Sequence, residues 1–179
     1  MHLYTIGHSN RSFEEFLSIL KKYGIELLID IRSWPYSSKN PQFNLDRLKK
    51  ELPAQGMAYE WLGKELGGRR SRGLGKDSPN KGWRSKGFRN YADYALGEEF
   101  RKGVSKLLKL AEGRRTAIMC AEKFYWGCHR RILADHLLVM GHKVTHIVDE
   151  KRCIEHKITP FAKIKDGIIV YPGEEKKEE

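Results

Sequence analysis

The densest run of chemistry-bearing side chains lies between Cys120 and Arg131, Cys-Ala-Glu-Lys-Phe-Tyr-Trp-Gly-Cys-His-Arg-Arg. Cys120 and Cys128 offer a nucleophile with a partner thiol or, together with His129, metal ligands. No Cys-x-x-Cys accompanies them and their spacing matches no standard zinc pattern, so neither a metal nor another cofactor is expected. The plain alternative is that both thiols are small buried hydrophobes, and Cys120, inside an apolar run, favours it. Glu122 stands just beyond that run, where a carboxylate needs water or a partner. It reads as a general base, or as the ion partner of Arg32 or Arg130. Arg130 and Arg131, beside the free N–H groups of a helix start, form a possible anion site.

Two further clusters extend this set. Asp30 is a second catalytic carboxylate or the structural partner of Arg32 or Arg11. His8, which follows Gly7, is a proton carrier or phosphate contact, or a packing group at a turn. Trp34, Tyr36, Tyr125 and Trp126 are candidate stacking groups for a base. The loop that opens at Trp34-Pro35-Tyr36 mixes aromatic and polar residues up to Gln42-Phe43-Asn44. It suits a base- or sugar-binding loop, or an aromatic plug over a sheet.

The elements that must position these groups follow from periodicity. Leu3–Ile6, Ile25–Ile31, Met57–Leu62, Thr116–Ala121 and Lys143–Val148 read as strands. The run from Ile25 is almost wholly apolar, as a strand buried on both faces requires. Ser12 with Glu15 predicts a capped helix over 13–23. Helices are also expected over 45–52, over 91–110 with a break near Gly97, and over 129–140 with Gly141 behind it. Residues 161–171 read as a hairpin turning at Asp166-Gly167. Strands alternating with helices predict an α/β class: a layered Rossmann-like fold, its central sheet mainly parallel, with helices on both faces. In such sheets ligands bind outside the carboxyl ends of the strands. Gly7-His8, Asp30-Ile31-Arg32 and Cys120-Ala121-Glu122 all fall at such ends, and His146 with Asp149 follows another.

Charge narrows the function. The chain has 179 residues, 34 Lys and Arg against 23 Asp and Glu, and a net charge of +11. Nine basic and two acidic residues lie between Lys64 and Arg89, so this glycine-rich stretch alone carries +7. It shows no helical or strand period, and long irregular loops in compact domains tend to carry function. Trp83, Phe88 and Tyr91 within it imply that it is partly packed. Arg69, Arg70, Arg72 and Arg84, with Arg11, Arg32, Arg130 and Arg131, are the expected phosphate contacts. A polyanion partner follows, nucleic acid with DNA favoured over RNA.

The length predicts one α/β domain over 1–173, a basic loop insertion at about 64–90, and a charged tail at 174–179. No apolar run approaches the roughly 20 residues of a membrane span. The first residues lack a signal-peptide pattern, and three cysteines do not suit a secreted disulfide framework. The expected location is the cytoplasm, and the scarcity of Gln leans towards a thermophile. The oligomeric state is left open.

Several of these segments together resemble the family of the domain of unknown function 488. They are Thr5-Ile6-Gly7-His8-Ser9, Asp30-Ile31-Arg32 with Pro35, and Pro41-Gln42-Phe43-Asn44. Leu66-Gly67-Gly68-Arg69, Phe88 with Tyr91-Ala92, and Cys120-Ala121-Glu122 through Cys128-His129-Arg130 continue the pattern, which ends at His146-Ile147. The resemblance spans residues 3 to 150, and the long basic tail of the Gly67-Gly68 loop departs from it. It implies one α/β domain with these residues around one site, and it supplies no reaction.

The expected function is therefore an enzyme of the DNA glycosylase type, acting on a damaged or modified base. Glu122 or Asp30 would be its carboxylate, His8 its proton carrier, and the aromatics its base holders. One alternative is thiol or phosphoryl chemistry on a small anion, with Cys120 or Cys128 as nucleophile. The other is a non-catalytic nucleic-acid-binding module.

Overall fold

The computed structural model describes residues 1–174. The charged tail read from the sequence lies outside the described residues from 175 onward. Six strands form the central sheet: β1 (His2–Gly7), β2 (Leu27–Asp30), β3 (Ala58–Trp61), β4 (Thr116–Cys120), β5 (Lys143–Ile147) and β6 (Cys153–Glu155). Their order is β3-β2-β4-β1-β5-β6, parallel throughout except that β6 runs antiparallel to β5.

Alternation along the strands explains the layers. Leu3, Leu27, Ile29, Ile118 and Val144 point to one face, and Tyr4, Ile6, Leu28, Ala117, Met119 and Ile147 to the other. Both sets are buried, so the apolar strands need helices on both sides. Helices α1 (Phe13–Lys22) and α2 (Leu45–Ala54) cover the second face through Phe16, Ile19, Leu20, Leu48 and Leu52. The first face is covered by α3 (Gly63–Leu66), α4 (Lys86–Tyr94), α5 (Glu98–Ala111) and α6 (Arg130–Val139). This is the layered Rossmann-like α/β arrangement expected from the sequence. Ser12 caps α1 as expected, its hydroxyl accepting from the Glu15 N–H at 3.0 Å. No helix among the described residues is long and apolar enough to cross a membrane.

Three details differ from the pattern-based reading. Lys86–Tyr94, half of it assigned to the basic loop, is helical, because Ser85 caps it and accepts from the Phe88 N–H. Gly63–Leu66 is a single helical turn, so the irregular stretch is 67–85, relieved by a 3-10 turn at Gly75–Asp77. The edge strand β6 was too short, at three residues, to leave a period.

The irregular stretch is nonetheless tethered. Asp93 on α4 accepts from Ser78 Oγ at 2.6 Å, Asn80 Nδ2 at 2.7 Å and the Leu74 N–H at 2.8 Å. Trp83 is buried against Phe88, Phe161 and Tyr171. The hairpin formed by β7 (Lys163–Lys165) and β8 (Ile168–Val170) turns at Asp166 (φ 54°) and Gly167 (φ 77°), the two left-handed positions a tight hairpin turn requires.

Candidate functional site

The connection after β1 leads through α1 to β2, and the connection after β4 leads through α6 to β5 on the opposite face. Adjacent strands whose outgoing loops part to opposite faces leave a crevice at their carboxyl ends. Gly7 pairs with Cys120, and beyond the strands the His8 and Ser9 N–H groups donate to the Cys120 and Ala121 carbonyls, both at 2.9 Å. The chain after β1 thus lies flat against the Glu122 loop. Contact is so close that a Cβ on Gly7 would sit 1.6 Å from the Glu122 carbonyl oxygen. A Cβ on Gly68 would likewise meet the His129 ring at 2.4 Å.

A cleft of about 330 Å³ opens at these strand ends, lined among others by Arg32, Ser33, Trp34, Arg69, Phe88, Cys120, Glu122, Cys128 and His129. That is the lower end of the usual range for small-molecule sites, about 300–1,000 Å³. A larger cavity, about 560 Å³, lies between α5, α6 and the β7–β8 hairpin, but its lining is mainly apolar. The smaller cleft holds the carboxylate, the thiols and the guanidinium groups at the end of a parallel sheet, where the fold gathers functional side chains.

The carboxylates part company here. Asp30 is fully buried and saturated. It accepts from Arg32 through Nε (2.9 Å), Nη2 (2.7 Å) and the backbone N–H (3.1 Å), and from the Tyr59 hydroxyl at 2.6 Å. It fixes the Arg32 guanidinium at the cleft wall, and the Tyr59 phenol is held protonated by burial and by Asp30. Glu122 is exposed, lines the cleft, and has no ion pair or hydrogen bond to its carboxylate among the described residues. Arg130 binds the Glu122 main chain instead, donating from Nη2 to the Glu122 and Lys123 carbonyls at 2.9 Å each.

His8 does not line the cleft. Its ring stacks on Phe43 at 4.6 Å, Nδ1 bonds the Ser9 carbonyl at 2.7 Å, and Nε2 faces Arg32 Nη1 at 3.3 Å. Burial lowers its pKa to about 4, so the neutral ring accepts from Arg32. Arg11 is buried too and donates to the Val148 carbonyl at 2.6 Å.

Among the stacking candidates, Trp34 and Trp126 are exposed, and Tyr36 packs 5.3 Å from Trp34. Tyr125 has one face covered, lying parallel to the His146 ring at 4.0 Å. Phe124, which the sequence reading passed over, is exposed and stacked on Trp126 at 4.7 Å. Arg69 lines the cleft, while Arg72 and Arg84 are exposed on the irregular stretch. Arg70 and Arg131 are committed elsewhere. Arg70 lies 3.7 Å over the Tyr94 ring and donates to the Gly67 and Lys64 carbonyls, and Arg131 lies over Trp83 and donates to Thr159.

Cys120 and Cys128 are buried neighbours at the cleft wall. Burial opposes a thiolate at Cys120, but the adjoining Cys128 thiol and the Arg130 charge outweigh it and draw that pKa below its usual value. Burial and the adjoining Cys120 push Cys128 up. His129 Nδ1 lies 3.4 Å from Cys128 Sγ, and burial lowers the His129 pKa to about 4. Among the described residues, no three His, Cys, Asp or Glu side chains are grouped closely enough to hold a metal ion.

Phe88, which the family resemblance placed around the site, is in the lining, and so are Ser33 and Ser85, which no sequence argument singled out for it. Only their places beside Arg32 and at a helix cap hinted at the two serines. Neither a curated protein nor a solved structure matches the chain. One family model does, over residues 12–137, and its description is a domain of unknown function, DUF488. That span covers well over half of the sequence and includes most of the cleft, and the chain belongs to the DUF488 family.

Proposed function

We propose that the protein binds nucleic acid, DNA by preference, and hydrolyses the N-glycosidic bond of an altered base held in the cleft. The observation that carries this reading is the exposed Glu122 carboxylate, unpaired among the described residues, in a cleft also walled by Trp34, Phe88, Arg32 and Arg69. A base lifted from the helix needs aromatic faces around it and cations for the flanking phosphates. Trp34, Phe88 and the Phe124–Trp126 stack answer the first need, and Arg69, Arg72 and Arg84 the second.

Bond breaking then asks little of the protein. The C1′–N bond opens with its electron pair passing to the base, while Glu122 faces the cationic sugar and takes a proton from the attacking water. The water's hydroxyl ends on C1′, and the proton taken by Glu122 passes through solvent to the departing base, which restores the carboxylate. Arg32, held rigid by Asp30, stabilises negative charge gathering on that base. His8 is too buried to carry the proton, so its part is to support Arg32.

Incubation with duplexes and single strands, each bearing one modified base, tests the reading. Free base released from one lesion and absent from undamaged controls is the expected result. Steeply salt-dependent binding without any product would reduce the protein to a nucleic-acid-binding module.

One observation favours a second reading. The Cys120–Cys128 pair lines the same cleft, and the Cys120 thiol is drawn towards thiolate. Cys120 would then attack a small electrophilic anion held by Arg32 and Arg69. Full activity in Cys120→Ser and Cys128→Ser excludes this reading.

A further inference from the structure

A line of buried polar side chains runs beneath the Glu122 loop, and none of it belongs to the cleft. Arg130, 1% exposed, makes no ion pair among the described residues. Its Nη1 donates to Thr5 Oγ1 on β1 at 2.9 Å. Thr5 Oγ1 lies 2.5 Å from His146 Nδ1 on β5, and His146 Nε2 lies 2.8 Å from His156 Nδ1. His156 Nε2 reaches Asp135 Oδ1 on α6 at 2.7 Å. Asp135 also accepts from the Tyr171 hydroxyl at 2.7 Å and the Thr159 N–H at 3.1 Å. The line begins and ends on α6 and crosses two strands between.

Hydrogen-bond chemistry fixes its direction. A carboxylate only accepts, so His156 carries a proton on Nε2, and in the neutral ring its Nδ1 accepts. His146 must then donate from Nε2 and accept at Nδ1, which requires the Thr5 hydroxyl to donate to it. Thr5 oxygen is thereby left to accept from Arg130. With both rings neutral, every group donates one way, from guanidinium towards carboxylate. Burial and the neighbouring His156 disfavour a charged His146.

The line touches the Glu122 loop at two points. Arg130 grips the carbonyls of residues 122 and 123, and the His146 ring lies flat under Tyr125. A buried arginine without an adjacent carboxylate is costly. Here Asp135 is its counter-ion at a distance, through three bridging side chains. We propose that Thr5, His146, His156 and Asp135 are positioning residues that hold the Glu122–Trp126 loop over the cleft by orienting Arg130 and Tyr125. The inference rests on the cleft being the working site, and not on the reaction proposed for it.

The test uses the full chain and no substrate, so absence of base release leaves it intact. Nitrogen NMR of the two rings comes first. Both are expected as Nε2–H tautomers at neutral pH, and an Nδ1–H tautomer at either ring would overturn the donor chain. Amide exchange follows at Gly127 and Cys128, whose N–H groups donate to the Phe124 and Tyr125 carbonyls within the loop. Thr5→Val, which keeps the shape and removes the hydroxyl, should speed their exchange by about tenfold or more. Thr5→Ser should stay within about twofold of wild type, and the Leu48 and Leu52 amides on the other face of the sheet should not change. If Thr5→Val does not fold, Asp135→Asn replaces it with the same expectation. Loop exchange within twofold of wild type, or acceleration equal to that at Leu48 and Leu52, overturns the proposal.

Discussion

Replacing Gly7 by alanine puts a methyl carbon where the Glu122 carbonyl already lies. The new Cβ would be 1.6 Å from that oxygen, 2.3 Å from its carbon and 2.8 Å from the Lys123 nitrogen. Such contacts do not close below 3.0 Å, so the loop must retreat by about 1.4 Å. It cannot retreat freely, because Arg130 holds the two carbonyls at 2.9 Å and is itself anchored to Thr5. Losing hydrogen bonds from a charged donor costs about 1.5–3 kcal/mol each where the partners stay buried. These carbonyls lie on an exposed loop and regain water, which brings the total to about 2–4 kcal/mol. Tm should fall by roughly 5–15 °C. Urea unfolding followed by tryptophan fluorescence measures this, with an unchanged m-value. Gly127→Ala is the control, since a Cβ there meets open space at an ordinary φ, and its effect should stay within about 0.5 kcal/mol. A Gly7→Ala protein within that same 0.5 kcal/mol of wild type would refute the close-contact argument.

The same structure makes further predictions. Asp93→Ala removes the acceptor of three hydrogen bonds, so trypsin should cut after Arg72, Lys76 or Arg84 at least about tenfold faster. An unchanged digestion rate would mean that Asp93 does not hold that stretch. Folding keeps His8, His129 and His136 neutral down to about pH 4, whereas unfolded histidine takes a proton near 6.5. The unfolded chain therefore binds more protons between these values, and stability must fall as pH drops from 6.5 towards 4. Two or more protons taken up near pH 5 correspond to at least about 2.7 kcal/mol per pH unit. Flat stability from pH 6.5 to 5 would contradict it. Cys153 is exposed while Cys120 and Cys128 are buried, so thiol titration of the native protein should show one fast and two slow groups. Three equal rates would show that the cleft thiols are open to solvent.

Much of this arrangement is legible in the chain because it rests on local signals. Apolar runs at 25–31 and 116–121 can be buried only between two helix layers, and that fixes a parallel sheet with polar groups at its strand ends. Ser12, the Gly97 break and Asp166-Gly167 mark boundaries through caps and turns whose chemistry needs no tertiary information. Roles of the polar groups are less visible, since they depend on who meets whom. Asp30 and Glu122 look alike in sequence, yet only Asp30 meets Arg32 and Tyr59. His8 reads as a proton carrier until Phe43 and Arg32 are seen to enclose it. The Asp135–His156–His146 line was hidden for the same reason: it joins α6, the chain after β6, and β5 through links that span 21 and 10 residues of sequence. A carboxylate on the buried side of an apolar helix and the histidine in the β5 strand were its local traces.

The central claim concerns Glu122, and one comparison tests it most directly. Wild type and Glu122→Gln are incubated with labelled duplexes that each carry a single altered base, at several salt concentrations, and free base is quantified. The account predicts lesion-specific release by wild type, a loss of about a hundredfold or more in the variant, and equal DNA affinity for both. Release at the wild-type rate by Glu122→Gln would contradict it and remove the carboxylate from the chemistry.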